Sequence, residues 1–257
     1  MGGDFVSSKE KLKKYLAQRV ELGVGEAVLP PKKGTVKAVA VFSSPSPVVK
    51  QATLFGGPAA GTQDHPVKPD PGRTLESFYQ EIKDCVRCPL GHTRTKFVFG
   101  VGNPKADIMF VGEAPGRDED LQGEPFVGRA GKLLDKILEA TGFRREEVYI
   151  ANVLKCRPPE NRDPQPDEME TCSPYLLEQI RLINPKFIVC LGRIAAMQLL
   201  ETKLALGKLR GAFHDFNGIK VMVTYHPAAL LRFAEYKKDV WEDMKVLRKA
   251  YDGVELK

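Results

Sequence analysis

Four short apolar runs, Ile108–Val111, Val148–Ala151, Phe187–Leu191 and Val221–Thr224, set the strongest constraint on what this chain can fold into. They look like buried strands, and helical patterns alternate with them at Lys132–Ala140, Asp167–Ile183, Arg193–Leu200 and Asp239–Tyr251. The alternation predicts an α/β fold: a three-layer α/β/α sandwich with a central, mainly parallel four-stranded sheet, plus a mostly disordered N-terminal extension. Asn217-Gly218 adds a hairpin signal between Phe213–Phe216 and Ile219–Val223. No internal repeat is visible.

Sheets of this kind bind ligands beyond the carboxyl ends of their strands. Here each strand runs into a polar or glycine-containing tip: Gly112-Glu113-Ala114-Pro115-Gly116, Asn152, Gly192-Arg193 and Tyr225-His226-Pro227. A parallel sheet would crowd these tips at one edge and make a single site. Cys85, Cys88, Cys156 and Cys172 bracket the first of them. The two-residue gap between Cys85 and Cys88 lets both thiolates turn toward one metal centre, whereas Cys156 and Cys172 are too far apart for a second such knuckle. Cys190 lies inside an apolar run and reads as a buried strand residue.

The chain has 257 residues, 42% of them hydrophobic, enough for one sizeable core. Its 39 Lys and Arg against 33 Asp and Glu give a net charge of +6, which favours an anionic partner, with nucleic acid first. No apolar run reaches the roughly 18 to 20 residues that cross a bilayer. The start Met1-Gly2-Gly3-Asp4-Phe5-Val6 carries no signal-peptide core and no myristoylation pattern. The expectation is a cytoplasmic monomer, where reduced cysteines more often hold metal than disulfides. Residues 1–73 read as an extension: a short helix over Ser7–Leu22, then a Pro-, Gly- and Ser-rich linker from Leu29 to Arg73. A helical pattern from Thr74 to Cys85 opens the folded domain, residues 74–257.

Taken together, the segments Gly112–Gly116, Glu124-Pro125-Phe126-Val127-Gly128-Arg129-Ala130-Gly131, Asn152 with Lys155-Cys156-Arg157-Pro158-Pro159, Cys172, Leu191-Gly192 and His226-Pro227-Ala228-Ala229-Leu230-Leu231-Arg232 resemble the uracil-DNA glycosylase superfamily. The resemblance is to its iron-sulfur branch, family 4, and covers about residues 75 to 251.

The resemblance implies an enzyme that flips uracil out of single- or double-stranded DNA and hydrolyses its N-glycosidic bond, leaving an abasic site for base excision repair. Phe126 matches the aromatic that stacks on uracil, and Asn152 the amide that reads its edge, accepting from N3–H and donating to O4. His226 would donate to O2, assisted by backbone amides of the Gly112, Ala114 and Gly116 loop. The catalytic aspartate position of the best-studied branch is matched by Ala114, so Glu113 is the first choice of carboxylate and Glu119 the reserve. Leu230 matches the intercalating leucine, with Leu231 beside it and Arg232 on phosphate. Cys85, Cys88, Cys156 and Cys172 would hold a structural 4Fe-4S cluster, with structural zinc as the alternative, and pose the Lys155-Cys156-Arg157 strip against DNA. In the linker, Gln51-Ala52-Thr53-Leu54-Phe55 resembles the peptide that docks bacterial proteins on the sliding clamp through Gln51, Leu54 and Phe55. No lysine occupies a recognisable Schiff-base position, so the expected enzyme is monofunctional. The competing readings are a glycosylase with altered deaminated-base preference, a covalently trapping relative, and a non-catalytic iron-sulfur DNA-binding or redox protein.

Overall fold

The computed structural model describes residues 72–253. The helix expected at Ser7–Leu22, almost all of the linker and the Gln51–Phe55 peptide lie outside the described residues. The first described helix, α1 (Leu75–Ile82), is capped by Thr74 through a reciprocal pair of bonds with Ser77. There follow α2 (Leu90–Thr93), β1 (Val101–Gly102), β2 (Ile108–Gly112), α3 (Arg117–Gln122), α4 (Arg129–Ala140), β3 (Tyr149–Asn152), α5 (Pro166–Ile183), β4 (Phe187–Leu191), α6 (Arg193–Leu200), α7 (Leu206–Leu209), β5 (Phe213–Phe216), β6 (Ile219–Thr224), α8 (Pro227–Arg232) and α9 (Tyr236–Asp252).

The sheet has six strands in the order β1-β3-β2-β4-β6-β5, which corrects the expected count of four. The expected strands are its parallel centre, β3-β2-β4-β6. The additions are antiparallel edges: β5 pairs with β6 across the Asn217-Gly218 turn, and β1 pairs with β3. At two residues β1 is too short to carry any periodicity.

Alternate side chains of the central strands enter different cores. Met109, Val111, Ile188, Cys190, Val221 and Val223 pack against α5 and α6. Ile108, Phe110, Phe187, Val189 and Met222 pack against α4, α8 and α9. All these side chains are at most 2% exposed, so both faces are covered and the three layers follow. A third cluster joins α1 to α5 around Phe78, Leu154 and Tyr175 and contains Cys85, Cys88, Cys156 and Cys172. Among the described residues no helix is long and apolar enough to cross a membrane.

Candidate active site

The parallel register brings the strand tips together. Gly112 at the end of β2 pairs with Asn152 at the end of β3, and Leu191 of β4 with Thr224 of β6, two residues before His226. Above them opens a cavity of about 460 Å³ whose walls include Glu113, Ala114, Gly116, Phe126, Asn152, His226 and Arg232. Gly112 lies beneath it: a Cβ there would sit 2.3 Å from Asn152 Oδ1 and 2.6 Å from the Phe126 ring, so any side chain would push the two walls apart.

Phe126 has a positive φ of 55°, a conformation that costs a non-glycine residue energy and is found where the surroundings enforce it. Its backbone is pressed against Gly131, where a Cβ would come within 1.8 Å of the Phe126 carbonyl oxygen. Arg145 donates to the neighbouring Pro125 carbonyl at 2.7 Å. The Phe126 ring lies 5.4 Å from the His226 ring, tilted by 33°.

Asn152 is 2% exposed, and its Oδ1 is the one buried side-chain nitrogen or oxygen among the described residues without a hydrogen-bond partner. An orphaned buried acceptor is expensive unless a ligand satisfies it. His226 caps α8, its Nδ1 accepting the Ala228 amide at 3.1 Å. That bond leaves Nε2 as the protonated nitrogen. Burial, reinforced by the Arg232 charge, lowers the His226 pKa to about 4, so the ring is a neutral donor at ordinary pH.

The two candidate carboxylates part company. Glu119 accepts the amides of Val127 at 3.0 Å and Gly128 at 2.9 Å and is thereby committed to bracing the Phe126 loop. Glu113 makes no such bond with the described residues. Burial and the charge of Asp163 raise its pKa, and Arg193 opposes them. Asp163, Asn161 and Arg162 line the mouth of the cavity and were missed in the sequence. Their segment is pinned because Arg162 grips the buried Glu168 at 2.9 and 2.5 Å. Nothing in the spacing of Arg157–Asp167 points to that fold-back.

Two expected DNA contacts are rearranged. Leu230 is 3% exposed and packs into the core beside α4 and α9, while Leu231 is 42% exposed. Leu231 is therefore the exposed member of the leucine pair, with Arg232 also exposed. Lys155, expected to face phosphate, is fully buried: its Nζ donates to the Asn152 carbonyl at 2.8 Å and to Gln179 Oε1 at 2.6 Å. Cys156 is buried too, and Arg157 turns to Asn161 at 2.8 Å.

Cys85, Cys88, Cys156 and Cys172 share one packed cluster, with Cys190 apart in β4. N–H groups point at their sulfurs: Arg94 Nη1 reaches Cys156 at 3.4 Å, the Lys155 amide reaches Cys172 at 3.4 Å, and the Leu90 and Gly91 amides support Cys88. Burial nonetheless pushes the thiols of Cys156 and Cys172 up to about 11 and about 12. Among the described residues no three His, Cys, Asp or Glu side chains are placed to hold a metal ion. A single zinc needs every sulfur about 2.3 Å from one point. An iron-sulfur cube presents a separate iron to each thiolate, so an all-thiol set with amide donors on its sulfurs fits the cube better.

Comparison with known proteins agrees with this geometry. The Uracil DNA glycosylase superfamily model matches residues 99–245. The type-4 uracil-DNA glycosylase of Archaeoglobus fulgidus is 49% identical over 180 residues, 67% of this chain and 90% of that protein. That of Thermotoga maritima is 47% identical over 175 residues, covering 66% and 91%. The type-5 uracil-DNA glycosylase of Pyrobaculum aerophilum is 31% identical over 191 residues, covering 60% and 83%. Strand tips, cysteine cluster and relatives converge: the chain belongs to the uracil-DNA glycosylase superfamily, on its type-4 branch.

Proposed function

We propose that the protein removes uracil from DNA by hydrolysing the N-glycosidic bond, without a lyase step. The observation that carries this reading is the orphaned Oδ1 of Asn152, buried in a cavity walled by an aromatic ring and a neutral imidazole. Uracil inserted between them would give N3–H to that oxygen and O4 to the amide nitrogen, and O2 to His226 Nε2–H. Cytosine offers an acceptor where uracil offers N3–H and would leave the oxygen unpaired. As the bond to the sugar breaks, charge gathers on uracil O2, and the preset donor is worth most at that moment. Of the two carboxylates the sequence singles out, Glu113 is the one left to orient water or offset the cationic sugar.

Cys85, Cys88, Cys156 and Cys172 would hold a 4Fe-4S cluster, which supplies a rigid staple and no electrons, since the hydrolysis transfers none. Among the described residues no lysine lines the cavity. Gln51–Phe55, outside the described residues, would dock on a sliding clamp. Deletion of those five residues should abolish retention on clamp resin and leave uracil release unchanged.

The decisive test is release of free uracil from a uracil-containing oligonucleotide. His226→Ala should lower kcat by about 10²–10³ and Asn152→Ala by a comparable factor. Wild-type protein that carries its cluster and releases no uracil would sink the reading.

A further inference from the structure

Helix α8 gives Ala228, Ala229 and Arg232 to the uracil cavity and Leu230 to a second, smaller one of about 150 Å³ between α4 and α9. Leu133 and Ile137 of α4 face Val240 and Trp241 of α9 across it, and Lys136 and Lys237 stand on its rim. Trp241 is 42% exposed and is the only tryptophan in the chain. Neither rim lysine forms an ion pair with a described residue. The volume is well under the roughly 300–1,000 Å³ of a small-molecule site, and it is too short for the spaced anchors of a docked helix. One flat ring fits it. An aromatic face between two cations is the arrangement that takes a base and its phosphates, and the groove adjoins the exposed Leu231 through α8.

We propose that this groove is a second DNA contact: Trp241 stacks an unpaired base of the strand lying across α8, and Lys136 and Lys237 hold its phosphates. The proposal rests on the DNA reading above but not on the uracil chemistry, because none of the three residues touches the uracil cavity.

The single tryptophan makes the test direct. Uracil-free oligodeoxythymidine titrated into the full-length, cluster-loaded protein should quench its emission saturably. Trp241→Ala should weaken that binding roughly tenfold, and Trp241→Phe should restore most of it. Saturating kcat for uracil release should not change in either variant. If Trp241→Ala does not fold, the pair Lys136→Glu and Lys237→Glu, both on exposed positions, should weaken binding while melting as wild type. Emission unmoved at saturation, with variants that bind as wild type, would overturn the proposal. So would a Trp241-dependent self-association in sedimentation, which would make the groove an interface between copies. Uracil release with a silent tryptophan removes the groove alone; quenching without uracil release removes the glycosylase reading and leaves the groove.

Discussion

His226 and Glu113 share a cavity, and the same burial shifts them in opposite directions. Burial penalises the imidazolium, and Arg232 adds to it, so His226 moves from 6.5 down to about 4. Burial penalises the carboxylate as well, and Asp163 adds to it, so Glu113 moves up from 4.5. The acid limb of kcat should therefore belong to Glu113, above pH 4.5, and His226 should contribute a second fall only near pH 4. Glu113→Gln should remove the upper limb and leave the lower; initial rates across pH 4 to 8 measure both. An acid limb at pH 6.5 that Glu113→Gln does not move would contradict the neutral-donor role. The sign for stability follows from the same shift. The unfolded histidine binds a proton below 6.5 while the folded one resists until about 4, so stability is full above 6.5 and lost as pH falls through that window. Most of this site was legible, because Asn152, Phe126, His226 and the Gly112–Gly116 loop occupy strand tips or a motif that places them there. Asp163 and the inward Lys155 were not. Whether a lysine faces solvent or a buried carbonyl depends on a loop path that Lys155-Cys156-Arg157 does not encode locally.

Helix α8 shows what a turn of about 100° per residue does to a motif. Leu230 and Leu231 are adjacent in sequence, and one is core while the other is exposed. Leu230→Ala should cost about 2–5 kcal/mol of stability. Leu231→Ala should stay within about 0.5 kcal/mol yet depress uracil release from duplex far more than from single strands, since only a duplex needs a wedge. Thermal melts beside assays on both substrates separate the two. Equal losses on both substrates for Leu231→Ala would deny it the wedge. A second anchor fixes the strand that carries His226. Buried Asp243 of α9 accepts Thr224 Oγ1 at 2.7 Å and Arg210 at 3.1 and 3.2 Å. Asp243→Ala should strand both partners and cost about 3 kcal/mol, a fall of roughly 6–12 °C in Tm. The long elements were readable because their periods run unbroken. The short ones, α2, α3, α7 and β1, offer too few residues for a period and exist through tertiary contacts.

Across the described residues the proposed 4Fe-4S cluster would tie together pieces that the sheet does not. Cys85 and Cys88 follow α1, Cys156 follows β3, and Cys172 lies in α5. A cluster bonded to all four closes a long loop of the unfolded chain, and constraints of that length are worth about 4 kcal/mol. The segment it would fix at Cys156 also carries Lys155, whose ammonium holds the carbonyl of Asn152. Stripping iron by chelation should therefore lower Tm by on the order of 10 °C. It should also weaken uracil binding through Asn152 rather than through any redox step. Alanine at Cys85, Cys88, Cys156 or Cys172 should bleach the absorbance near 400 nm, whereas Cys190→Ala, in the β4 core, should keep it. Lys155→Met distinguishes a staple from a mere stabiliser. It leaves every sulfur ligand in place, so the colour should persist while KM for uracil-DNA rises. A Lys155→Met protein with normal KM would mean that the cluster supports the fold and has no hold on the pocket.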